Sequence, residues 1–312
     1  IEIEAAFHGC NGARLFYRKA APQASAKGTV IAVHGHGDHS GGLQNLKARL
    51  AESGYILYAF DLRGHGQSPG VRGFIRSWEE YRGDLQAFRE LVAAENPGMP
   101  LYVAGHSLGG VISADYALLH GEGIAGLALI APAISYEATF LDKCLMALIG
   151  KLKPDLTVRK AGNPELLTQD ADVRSRLAAD PLRHNTVTPG LGLGLMQAIS
   201  RLTKQASSMR IPLLLQYGLE DKITPPAKLR EFFHSLGSID KQCCEYETMR
   251  HRPFDDVGRE RFFADLIQWL DRHANSRSEC SEVNAHASRH HRGRRETDIG
   301  LDGAAGRPSS LS

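Results

Sequence analysis

The 312-residue sequence lacks any uninterrupted apolar run approaching the ~18 residues that a membrane-crossing helix needs. It is poor in cysteine. The five present (Cys10, Cys144, Cys243, Cys244, Cys280) are scattered, odd in number and form no C-x-x-C pair, which argues against a disulfide framework and a thiolate metal site. Reduced thiols in a cytoplasmic protein are the expectation, and the opening Ile1-Glu2-Ile3-Glu4 has no basic-then-apolar secretory pattern. Charge of one sign is also lacking. A net charge of +2 leaves no overall basic field for nucleic acid. What remains is a chain of globular composition, long enough for one large α/β domain with an insertion or for two modest domains.

Apolar runs and helical patterns alternate along it. Asn11-Gly12 predicts a turn between extended segments over 7–19. Gly28–Val33, Tyr55–Phe60, Leu101–Ala104 and Gly126–Ala131 read as buried strands, with helices over Leu43–Ala51 and Trp78–Ala94. The alternation breaks between Pro132 and Met209, a largely helical stretch with amphipathic pieces at Phe140–Leu152 and Leu191–Ile199. It resumes with Pro212–Tyr217, Ala227–Leu236, Gln242–Tyr246 and Val257–His273. This pattern predicts a doubly wound α/β sheet whose core spans 1–133 and 210–274. A helical cap over 134–209 would cover the carboxyl edge of the strands, where open α/β sheets bind ligands. Residues 275–312, rich in Ser, Arg, Gly, Ala and His, read as a disordered tail, and Arg289–Arg295 within it is basic.

The chemistry centres on Gly105-His106-Ser107-Leu108-Gly109. A short apolar strand precedes it and a helical pattern follows, the context of a nucleophile elbow. Such a turn strains the serine backbone and presents the hydroxyl above the end of the sheet. The flanking glycines avoid collision with neighbouring elements, and the Leu108 amide, at a helix start, suits a negative oxygen. A serine needs a base and an orienting acid, in the chain order Ser, acid, His, each after a strand. Asp221 follows the strand ending at Tyr217, with Glu220 beside it as a rival acid, and His251 follows the strand ending at Tyr246. The second oxyanion amide is expected from the loop after Val33, at His36.

That loop offers a competing reading. His34-Gly35-His36-Gly37-Asp38-His39-Ser40-Gly41-Gly42 matches H-x-H-x-D-H-x-G-G, the two-zinc pattern of the metallo-β-lactamase superfamily. It leaves Ser107, Asp221 and His251 unexplained, does not suit alternating βα units, and its later ligands have no convincing home. A non-catalytic binding protein on the same fold is a further alternative.

With these residues in hand, the chain resembles the monoacylglycerol lipase/lysophospholipase-like serine α/β-hydrolases over about 7–273. The resemblance rests on His34-Gly35-x-Gly37-Asp38-His39-Ser40-Gly41, Asp61-x-Arg63-Gly64-His65-Gly66-Gln67-Ser68, the elbow with Gly110, Asp180-Pro181-Leu182, Gly218-x-x-Asp221 and His251. It implies an α/β-hydrolase fold, carboxylic-ester hydrolysis without a cofactor and a mobile helical cap. The cap's apolar faces suggest a lipophilic acyl chain, as in a monoacylglycerol or lysophospholipid, and transient contact of the cap with a membrane surface is the expectation. Ser107 would be nucleophile, His251 base and Asp221 orienting acid, with the His36 and Leu108 amides forming the oxyanion hole. Related serine hydrolases acting on peptides, thioesters or C–C bonds would keep this machinery. Two departures stand out. His36 occupies a position that often carries a small or apolar residue, where its ring would narrow the acyl site or add a polar contact. Arg250 and Arg252 flank His251, and an upward shift of the pH optimum is the expectation. Arg63 and His65 read as structural.

Overall fold

The computed structural model describes residues 2–135, 149–150 and 152–275. Most of the helix expected over Phe140–Leu152, the tail beyond 275 and its basic run lie outside the described residues.

The chain opens with β1 (Glu2–His8) and β2 (Arg14–Ala20), paired antiparallel with His8 opposite Arg14. Asn11 and Gly12 make the reversal at φ 56° and 72°, in the left-handed region that these two residue types tolerate best. There follow β3 (Gly28–Val33), α1 (Gln44–Glu52), β4 (Tyr55–Phe60), α2 (Trp78–Glu95), β5 (Leu101–His106), α3 (Leu108–His120) and β6 (Gly126–Ile130). Between β6 and the next sheet strand come β7 (Val158–Arg159), α4 (Ala171–Ala179), β8 (Thr186–Val187) and α5 (Pro189–Gln205). The chain then forms β9 (Leu213–Gly218), α6 (Pro226–Ser235), β10 (Lys241–Tyr246) and a helix, α7, over 259–275.

The main sheet has 8 strands in the order β1-β2-β4-β3-β5-β6-β9-β10. From β4 to β10 every neighbour is parallel, and only β2, the inner strand of the edge hairpin, runs against the rest. The strands read as continuous apolar runs because both faces are covered. The two-residue side-chain period divides each strand between two cores. Ile31, Val33, Val103, Leu129 and Leu215 face α2, α3, α5 and α6 through Trp78, Phe88, Val111, Leu202 and Leu229. Val30, Ala32, Tyr102, Ala128 and Leu214 face α1 and α7 through Leu46, Leu50, Phe262, Leu266 and Trp269.

The helices between β6 and β9 start on capped turns. Asp170 accepts from the Asp172 and Val173 amides to begin α4, and Thr188 accepts from Leu191 to begin α5 behind Pro189. No helix among the described residues is long and apolar enough to cross a membrane.

Candidate active site

Ser107, Asp221, His251 and His36 all follow the carboxyl ends of parallel strands: β5, β9, β10 and β3. Ser107 sits between β5 and α3 at φ 53°, ψ −116°, a conformation sparsely populated by any residue with a Cβ. Its amide donates to the Ile130 carbonyl (3.0 Å), and its carbonyl accepts from Val111 (3.2 Å) and Ala133 (3.0 Å), so the strain is held from three sides. The flanking glycines permit the turn. A side chain at Gly105 would run into the Gly109 carbonyl, and one at Gly109 into the Val33 and His34 carbonyls. Leu108 is the first residue of α3, where amide hydrogens lack intrahelical partners and the helix dipole favours negative charge.

The three side chains predicted to converge lie in one line. Ser107 Oγ is 2.9 Å from His251 Nε2, and His251 Nδ1 is 2.8 Å from Asp221 Oδ2. The carboxylate fixes the tautomer: Nδ1 donates to Asp221, leaving Nε2 free to accept the serine proton. Asp221 is itself held. Its Oδ1 accepts from the Ile223 and Thr224 amides (2.7 and 2.9 Å), and its Oδ2 from Thr224 Oγ1 (2.5 Å). Burial pushes the Asp221 carboxyl up, but His251 and the Thr224 hydrogen bonds outweigh it and hold it below its ordinary range. The rival, Glu220, is half exposed and turns instead to Gln169 (3.3 Å) and Arg250 (3.9 Å).

Two contributors were not singled out from sequence. His106, inside the elbow itself, donates from Nε2 to the His251 carbonyl (3.0 Å) and so anchors the loop that carries the base. Thr224 braces Asp221. Its position three residues after Asp221, ahead of Pro225 and Pro226, is an Asx-turn signature that a sequence can carry.

His34, Asp38 and His39 of the H-x-H-x-D-H run are employed in holding loops together. His34 Nδ1 donates to the Gly35 carbonyl (2.8 Å), and its Nε2 accepts from the Leu62 amide (3.0 Å). His39 Nε2 meets Asp180 Oδ2 at 2.7 Å while its Nδ1 accepts from Gly41 (3.1 Å). Asp38 is buried between the guanidinium groups of Arg183 and Arg252. These donors and acceptors are spent on protein partners, and no cluster fit to hold a metal ion occurs among the described residues. Arg63 likewise braces structure, gripping Asp84 with two nitrogens (2.7 and 2.6 Å).

The expected upward shift of the pH optimum does not follow. Arg252 is buried and bound to Asp38, Asp255 and the Gly42 carbonyl, and Arg250 donates to the Glu165 carbonyl (2.6 Å). Arg252 is thus paired by two carboxylates, and Arg250 has Glu220 at 3.9 Å. An imidazole destabilised as a cation would in any case extend activity to lower pH, not higher.

The His36 ring packs edge-on against His65 (5.5 Å between centroids) and His184 (5.4 Å), and its nitrogens are sealed from solvent. Burial, and then His184 and His34, push it down to about 3. The consequence has a definite sign. Unfolded His36 binds a proton below about 6.5 while the folded ring stays neutral, so stability falls as pH drops through that window, by up to ~1.4 kcal/mol per pH unit. Urea midpoints measured from pH 7 to 5 should decline, and His36→Gln should flatten the slope. An unchanged slope in the variant would contradict this.

The serine aminopeptidase, S33 family (Hydrolase_4) matches residues 24–258 of the chain. Monoacylglycerol lipase of Mycolicibacterium smegmatis is 27% identical over 274 residues, 86% of this chain and 97% of that protein. An uncharacterized abhydrolase domain-containing protein of Dictyostelium discoideum is 32% identical over 270 residues, 84% of this chain but only 28% of that longer protein. The crystal structure of Paleococcus ferrophilus monoacylglycerol lipase superposes with a TM-score of 0.75 at 32% identity, covering 83% of this chain and 99% of that one. The chain therefore belongs to the Hydrolase_4 family and is a monoacylglycerol lipase-like α/β-hydrolase, a carboxylic ester hydrolase.

Proposed function

We propose that the protein hydrolyses lipophilic carboxylic esters, monoacylglycerols or lysophospholipids, through an acyl-enzyme on Ser107. The observation that carries this reading is the hydrogen-bonded line from Ser107 Oγ through His251 to Asp221, at 2.9 and 2.8 Å. Ser107 attacks the ester carbonyl while His251 Nε2 takes its proton, and Asp221 stabilises the imidazolium. The His36 and Leu108 amides receive the oxyanion; one such donor is typically worth about 10²–10³ in rate. His251 returns the proton to the departing alcohol, and water, activated by the same imidazole, then releases the acid.

We assign the segment 134–209 as the cap over this site. Two observations support the assignment. Its 180–184 stretch is fastened to the oxyanion loop: Asp180 meets His39 (2.7 Å), Arg183 meets Asp38 (2.5 Å) and the His184 amide donates to the Gly37 carbonyl (3.0 Å). Leu152, Leu156 and Val158 are 76%, 45% and 49% exposed within one short stretch, apolar side chains open to an aggregated lipid.

The family's description favours one rival, cleavage of aminoacyl amides. Esters of graded acyl length set against aminoacyl amides test the choice. Higher kcat/KM for medium- or long-chain glycerol esters than for every amide is the expected result. A preference for the amides would overturn the lipid reading while leaving the acyl-enzyme intact.

A further inference from the structure

A pocket of about 390 Å³ lies beside the oxyanion loop, lined by Arg72, Arg159, Lys160, Arg183, His184 and Thr186 among others. Its cations come from separate parts of the chain, and each is set by the backbone around it. Arg72 donates to the Gly64 and Gly66 carbonyls (3.3 and 3.0 Å), which fixes its guanidinium without neutralising it. Arg159 pairs with Thr186 in the β7–β8 ladder, and the Lys160 amide donates to the Asn185 carbonyl (2.9 Å). Arg183 shares Asp38 with Arg252. Among the described residues no carboxylate pairs with Arg72, Arg159 or Lys160. Like charges gathered in one concavity repel and raise the local concentration of anions. His184 records that field: burial first, and then Arg72, push its ring down to about 4.

One loop connects the pocket wall with the reaction centre. A Cβ at Gly35 would lie 3.1 Å from Ser107 Cβ, while at the other end of the same loop Gly37 abuts the His184 carbonyl and the His36 ring packs on His184. One short loop thus touches both the nucleophile and the pocket wall. Arginine forks match phosphate oxygens in pairs, and lysine adds a point charge.

We propose that this pocket, through Arg72, Arg159, Lys160 and Arg183, binds a phosphate group, supplied by a phosphate-bearing lipid ester or by a free phosphate anion. The binding site stands apart from the ester-hydrolase reading; only its use by a substrate rests on that reading.

Calorimetric titration of the full chain with inorganic phosphate at low ionic strength tests the site. Arg159→Ala with Lys160→Ala removes two exposed side chains and spares the ladder's backbone. Affinity should fall about tenfold or more, since hydrogen bonds to charged groups typically reach that size. No binding to the wild type, or equal binding by the double variant, overturns the proposal. A second measurement identifies the source. A selective fall of about tenfold in kcat/KM for a 1-acylglycerol 3-phosphate, against the 1-acylglycerol of the same chain, assigns the pocket to a substrate headgroup. Phosphate binding with an unchanged ratio assigns it to a free anion. If the hydrolase reading itself fails, the wild type turns over neither ester while calorimetry still reports the pocket.

Discussion

Ser107→Ala is expected to lower kcat/KM for a monoacylglycerol by on the order of 10⁴-fold or more and to abolish covalent labelling by a fluorophosphonate. The argument is geometric. Among the described residues the hydroxyl is the only hydrogen-bond partner of His251 Nε2, at 2.9 Å, and it sits 8% exposed at the mouth of a buried relay. Alanine removes one oxygen and leaves the turn, the imidazole and the two amides in place. Whatever rate persists then measures substrate binding and the oxyanion amides alone. The variant should fold as the wild type does, and intact-mass analysis should show no adduct. An alanine variant that still labelled at full strength would place the nucleophile elsewhere and remove the basis for assigning roles to His251 and Asp221.

Arg252→Met is expected to destabilise the fold by about 3–5 kcal/mol, because it leaves buried charge without its partner. Arg252 is 1% exposed, and its guanidinium joins Asp38 on the oxyanion loop to Asp255 beyond the base, with a further donation to the Gly42 carbonyl (2.7 Å). Asp255 in turn accepts from Asn45 (2.6 Å) on α1. Burial alone would push the Asp38 carboxyl up, but Arg252 and then Arg183 hold it well below its ordinary range. A carboxyl depressed in this way contributes stability above its unfolded pKa, and that contribution disappears as pH falls through the folded value. The loss in the methionine variant should therefore hold from neutrality down to the ordinary carboxyl range and shrink only below it. Urea denaturation at pH 7 and pH 3 measures both. A change at pH 7 below about 1 kcal/mol would show that the network relaxes around the gap. Activity should fall along with stability, since this one side chain ties the loop after β3 to the loop that carries His251.

The sheet was legible because its strands carry their own punctuation. Gly28–Val33 and Tyr55–Phe60 are continuous apolar runs, and their boundaries in the structure are those read from the sequence. Other limits moved. The elbow strand runs on through Gly105 and His106, because its last residues pair with β6 where periodicity has nothing to mark. The opening hairpin extends back to Glu2, since an edge strand needs only one apolar face. Less legible were the residues that act across long sequence separations. Arg252 looked like a charge beside the base; its partner Asp38 lies 214 positions away, and only the folded chain shows the ion pair. Asp180 appeared only as part of a family motif and Arg183 went unremarked beside it, yet they grip His39 and Asp38. The letters H-x-H-x-D-H suggested metal because spacing records which side chains are near each other, not which ones are already occupied. His36 was read for its amide, and its ring belongs to a cluster with His65 and His184 that no local pattern announces.

The backbone at position 107, with φ 53° in a residue other than glycine, bears on more than reactivity. A side chain held there forfeits roughly 1–3 kcal/mol of folding free energy that a glycine would recover. Exchanging that hydroxyl for durability would give up the group that faces His251, so searches for hardier variants should look far from the elbow.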